Sequence, residues 1–174
     1  MIMSDPGAVF LDTETTGLDN SAEIIEISVV DCSGNALLDT LVRPFSPIPP
    51  DAIAVHGISG EMVQDAPAWG DVFPELARLV QHRRVVVYNA PFDYRMVQQM
   101  NSRCGITSDL RDWECAMQQY SRYTGVWHER YGNYRWHRLT DALAQFGHYQ
   151  AGHRAMVDAQ ACRLVVDGMA RSGS

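Results

Sequence analysis

Between residues 8 and 43 the apolar positions form short runs and two-residue alternations, and beyond residue 50 most of them recur at helical spacing. Ala8-Val9-Phe10-Leu11 is an apolar run suited to a buried strand, and Glu23 to Asp31 alternates over most of its length as a second strand. Ser33-Gly34-Asn35 supplies a hairpin turn into a third strand, Ala36 to Arg43, which completes an antiparallel meander. The proline-rich stretch from Pro44 to Pro50 ends it, because proline cannot donate to a sheet ladder. Asp51 to Ile58 and Ser59 to Val63 read as two short helical pieces, the second opened by Ser59 as an N-cap. Within Trp69 to His82, the residues Val72, Phe73, Leu76, Leu79 and Val80 mark the apolar face of a longer helix, with Pro74 tolerated only in its first turn.

Arg84 to Tyr88 is a β-branched run fit for a parallel strand, and Asn89-Ala90-Pro91-Phe92-Asp93 breaks it into a helix reaching about Arg103. Glu114 to about Tyr123 reads as another helix, and Tyr120 to Arg138 is irregular. Leu139 to Gly147 is a short helix with a glycine stop, Arg154 to Met169 is the last helix, and Arg171 to Ser174 is a loose tail. A meander followed by strands alternating with helices predicts an α/β fold around a mixed sheet, in a single domain over residues 1–174.

Composition narrows the setting. The four cysteines form no Cys-x-x-Cys pair, which argues against a zinc site or a disulfide scaffold and fits a reducing cytoplasm. Met1 to Pro6 lacks the basic start and apolar run of a leader, and no membrane span is expected. Every cation other than histidine is an arginine, and the formal charge of -7 argues against nonspecific nucleic-acid binding by bulk charge.

The chemistry begins at Asp12 and Glu14. Side chains two apart on a strand share a face, so both acids project together from the end of the first strand. Taken alone, such a pair is more often a solvated strand end, but later acids change that. Asp93 follows a predicted strand at a helix start, where open α/β sheets present ligand-binding groups, and Asp158 lies on the last helix behind His153. If the sheet brings these elements together, the four carboxylates make the hard-oxygen environment that two Mg²⁺ or Mn²⁺ ions require. Thr15, Thr16 and Gly17 then turn the chain and offer backbone donors to an anion. Histidine, with an ordinary pKa of about 6.5, suits a general base.

Three segments, Phe10 to Leu18, Tyr88 to Asp93 and His153 to Asp158, together resemble the three exonuclease motifs of the DEDDh 3′→5′ exonucleases. That family includes the proofreading subunit of bacterial DNA polymerase III, exonuclease X and ribonuclease T. The resemblance extends over nearly the whole chain, including Val55-His56-Gly57-Ile58. It implies a ribonuclease-H-like fold, two-metal hydrolysis at a nucleic-acid 3′ end, Asp12, Glu14, Asp93 and Asp158 as metal ligands, and His153 as general base. It further implies that Leu18 and His56 flank the terminal base while Thr15 and Asn89 hold its backbone.

The Tyr120 to Arg138 segment interleaves arginines with tyrosines and tryptophans around a single acid, Glu129, which suits single strands. Trp127 and Arg130 are its contact candidates, and Trp136 is assigned to packing against the body. The leading expectation is an exonuclease on single-stranded DNA or frayed 3′ ends, releasing nucleoside 5′-monophosphates. The alternatives are an exoribonuclease on short or structured RNA and a noncatalytic polymerase-accessory module, which would need neither the acid set nor the histidine.

Overall fold

The apolar run around Phe10 becomes the middle of a sheet because it is buried on both faces. In the computed structural model, which describes residues 5–111 and 113–172, strand β1 (Val9–Thr15) is flanked on one side by β2 (Ile24–Asp31) and β3 (Ala36–Leu41). On its other side lie β4 (Val85–Val87) and β5 (Trp113–Cys115), giving the order β3-β2-β1-β4-β5. β1, β2 and β3 pair antiparallel as the meander predicts, and β1, β4 and β5 pair parallel. Met1 to Ser4, part of the stretch that bears on a leader, and the end of the expected tail, Gly173-Ser174, lie outside the described residues.

Helices cover both faces, as parallel pairing demands. After α1 (Pro50–His56) and α2 (Gly60–Val63) come α3 (Trp69–Val80) and α4 (Ala90–Arg103), whose Trp69, Leu76, Met96 and Met100 pack with Val9 and Leu11 on one face of the sheet. The other face, with Phe10, Val30 and Val86, is covered by α5 (Ala116–Thr124), α6 (Leu139–Gln145) and α7 (Ala155–Ser172). Gly168 lets α7 approach α6, since a Cβ there would stand 2.4 Å from the Phe146 ring.

Five expectations need correction. Trp113-Glu114-Cys115 is the edge strand β5, and the helix begins only at Ala116. Pro74 lies in the second turn of α3, where the six buried side chains from Trp69 to Val80 compensate for the amide it removes. Ser59 stands at the N-cap of α2 but its hydroxyl makes no capping bond. The final helix continues through Arg171 to Ser172. The irregular segment holds a small hairpin, β6 (Trp127–His128) and β7 (Asn133–Tyr134), joined by one 3-10 turn at Glu129–Tyr131. Among the described residues, no helix is long and apolar enough to cross a membrane.

Candidate active site

Strand alternation decides which acid meets which helix. Val9 and Leu11 face α3 and α4, whereas Phe10 faces α7, so the same period carries Asp12 and Glu14 to the α7 side and Thr13 to the α4 side. The contacts follow this rule. One oxygen each of Asp12, Glu14 and Asp158 lie within 4.8 Å of one another. On the opposite face, Thr13 donates its hydroxyl to Asp93 Oδ1 at 2.7 Å. Asp93 therefore stands apart from the close trio, yet all four acids line one cleft of about 720 Å³. A bulge in the β1–β2 pairing at Glu14/Thr15 ends the regular ladder beside them.

The acids strain one another electrostatically. Burial, and then the charges of Asp93, Asp158 and Glu14, push the Asp12 carboxyl well above the usual range. Burial followed by Asp158 and Glu26 raises Glu14 to about 8. Burial lifts Asp93 to about 7 against the bond from Thr13, and lifts Asp158 against its contacts with Gln150 and His153. Such a set of buried, mutually repelling oxygens fits divalent cations, whose charge would relieve the repulsion.

Glu26 sits directly across from Glu14 in the β1–β2 register and is 3% exposed. Two buried glutamates opposite each other destabilise a sheet unless one is paired. Here Arg154 supplies the pair, donating Nε to Oε1 at 2.9 Å and to Oε2 at 3.0 Å, with Nη2 also on Oε1. The same carboxylate accepts the Ala155 amide at 2.9 Å, so one side chain caps the start of α7 and fixes the segment carrying His153 and Asp158. The sequence hides Glu26 because Glu23 to Asp31 alternates over most of its length, as a half-buried strand does. Every residue from Ile24 to Val30 is buried, and an acid inside such a run was the available signal.

The structure brings His153 to the rim of the cleft, with Nδ1 3.6 Å from Asp158 Oδ2 and the side chain 52% exposed. Gln150 donates its amide to Asp158 Oδ1 from the same loop. Asn89 lines the cleft at the N-cap position of α4 without a side-chain cap. Thr15 turns its hydroxyl onto the Gly17 carbonyl at 2.7 Å. The Thr16 amide, expected as an anion donor, is committed to the Glu23 carbonyl at 2.9 Å.

Leu18 lies 79% exposed beyond β1, while Arg95 donates to its carbonyl at 2.9 Å. His56 is buried at the end of α1, where Gly57 takes a left-handed φ of 74°. Its Nδ1 accepts the Ile58 amide at 3.0 Å, and burial pulls the imidazole below its usual range. Neither Leu18 nor His56 lines the acid cleft.

Trp127 and Arg130 also lie outside the cleft. Trp127 stands edge-on to Tyr134 at 5.3 Å, and Arg130 lies over the Tyr131 ring at 5.6 Å. Trp136, expected to pack inward, is 59% exposed and lines the cleft together with His137 and Arg138. The correction has a local cause: Tyr88 donates its hydroxyl to the His137 carbonyl at 3.0 Å, holding the backbone to the body while the indole faces out.

Comparisons agree with this geometry. Residues 9–165 match the RNase_T family, described as Exonuclease. Over 95% of its length the chain is 40% identical to the uncharacterized exonuclease CP81 of Escherichia phage 186, of which it covers 89%. It is 36% identical over 95 residues to the DNA polymerase III epsilon subunit of Pasteurella multocida, but those residues make up 49% of this chain and 38% of that protein. Among solved structures, exonuclease X in complex with 5′ overhanging duplex DNA superposes with a TM-score of 0.66 at 30% identity, covering 96% of this chain and 93% of that one.

Proposed function

The chain belongs to the DEDDh exonuclease family, whose members depend on divalent metals, and as a 3′→5′ exonuclease of that family we propose that it trims single-stranded DNA or frayed 3′ ends. The observation that carries this reading is the convergence of Asp12, Glu14 and Asp158 within 4.8 Å, with His153 beside Asp158 at the cleft rim. Asp12, Glu14, Asp93 and Asp158 would hold two ions, Mg²⁺ or Mn²⁺. When bound, these ions would lower the pKa of the attacking water and neutralise charge on the leaving oxygen.

His153 is exposed enough to reach that water and takes its proton as the new P–O bond forms. The bond from phosphorus to the 3′ oxygen of the preceding nucleotide breaks, so the phosphate leaves on the terminal residue as a nucleoside 5′-monophosphate. Asp158 Oδ2 stands 3.6 Å from His153 Nδ1 and keeps the ring beside the acids. Thr15, Leu18, His56 and Asn89 are assigned to the terminal nucleotide, and Trp127 and Arg130 to the strand behind it. The four free cysteines support work in the reducing cytoplasm.

The choice of DNA over RNA rests on the likeness to exonuclease X and is tested by rate. Matched 5′-labelled DNA and RNA strands, single- and double-stranded, are digested with Mg²⁺ or Mn²⁺. Faster shortening of single-stranded DNA is the expected outcome, and faster RNA shortening would reverse the substrate assignment.

A further inference from the structure

Three hollows meet at Trp136. Its indole lines the acid cleft beside Arg138, a second hollow of about 530 Å³ with Tyr131 and Arg135, and a third of about 370 Å³ with Arg122 and Trp127. Each compartment thus has an arginine, and none of these three arginines forms an ion pair within the described residues. No acid lines either outer hollow, although the chain carries a formal charge of -7.

The platform is pre-organised. The Arg135 amide donates to the Val126 carbonyl at 2.8 Å on one side of Trp136. On the other, Tyr88 donates to the carbonyls of His137 and Arg138 at 3.0 and 3.3 Å. The backbone is pinned at both ends while the indole stays open, so little ordering is needed when a flat ligand lands on it. Trp127, by comparison, already has Tyr134 against its ring.

Resting on the exonuclease reading of the cleft, we propose that Trp136 is the stacking platform for the nucleotide just upstream of the 3′ end. The hollows beside it take the following single strand, with Arg135 and Arg122 meeting its phosphates. Flat bases stack on an exposed indole whatever their sequence, and unpaired guanidinium groups recognise phosphate, so one continuous single strand satisfies all three compartments. A protein partner would leave those cations without counter-charges unless it were acidic at each point.

The test is equilibrium binding of 5′-dye-labelled DNA and RNA strands of roughly 2, 6 and 12 nucleotides with Ca²⁺ present. Cleavage of the same strands is followed separately with Mg²⁺ and Mn²⁺. Trp136→Ala is expected to weaken binding by about tenfold at all three lengths, since even the dinucleotide carries the upstream base, with Trp136→Phe retaining most of the affinity. Arg135→Ala should make the salt dependence shallower by about 0.7 in log–log slope.

A loss in either the DNA or the RNA series supports the track. Wild-type affinity of Trp136→Ala at every length, in both series, overturns it, as does a Trp136→Phe variant no better than Trp136→Ala. Wild-type protein that binds through Trp136 yet cuts nothing would sink the exonuclease reading and leave the track standing. Normal cutting with Trp136→Ala binding unaltered would sink the track alone.

Discussion

Glu26 takes no part in the proposed bond-breaking, but three groups that matter hang on its carboxylate: Arg154, the Ala155 amide and, through them, the segment bearing His153. Removing it leaves a cation and an amide facing a buried void. Because the Arg154 side chain is partly exposed, the cost falls at or below the usual range for breaking a buried pair, at about 2–4 kcal/mol. Urea unfolding of Glu26→Ala should show that loss, and a change below about 0.5 kcal/mol would mean the latch carries no weight.

His153 is the opposite case, exposed and lightly held, so His153→Ala should leave the fold intact. Turnover should drop by about 10² to 10⁴ with metal affinity kept, measured by single-turnover cleavage and metal titration. Turnover within twofold of wild type would move the base elsewhere. At this scale the sequence revealed the four acids and the histidine because their types and spacing are chemically unusual. It hid Glu26 and Trp136, whose roles depend on what the fold places opposite them.

Elements were legible where their pattern is long. The meander, α3, α4 and α7 all follow apolar spacing that local residues enforce. β5 did not show itself, since three residues are too few to display a period and the helical pattern of α5 directly follows. The hairpin was equally hidden, because β6 and β7 have two residues each and the left-handed Gly132 between them was the only turn signal.

The α6–α7 contact offers a test at this scale. Gly168→Ala drives a methyl into the Phe146 ring, an overpacking that should cost about 1–3 kcal/mol. Combining it with Phe146→Leu should recover part of that loss. No recovery would show that the close approach of the two elements is not what Gly168 provides.

For the whole molecule, the acid cleft ties stability to both pH and metal. The raised carboxyls, with Glu14 at about 8 and Asp93 at about 7, keep their protons in the folded chain at pH values where an unfolded chain, with carboxyl pKa near 4, has released them. The folded state then binds more protons, so stability must fall as pH rises through roughly 5 to 8. A metal-free sample should therefore melt lower at pH 8 than at pH 6. Mn²⁺ should restore the melting temperature at pH 8 by binding the native state, and should do so less in Asp93→Asn. A melting temperature that rises with pH over this window would contradict the electrostatic account of the cleft.

The most direct measurement of the central claim is digestion of a 5′-labelled single strand by wild type and by Asp12→Ala and Asp158→Ala, with Mg²⁺, with Mn²⁺ and with chelator. The account predicts a ladder that shortens from the 3′ end, appears only with metal, releases nucleoside 5′-monophosphates, and slows by at least about 10³-fold in either variant. A ladder that persists in chelator, or either folded variant cutting within about tenfold of wild type, would contradict the assignment of these acids to metal-dependent hydrolysis.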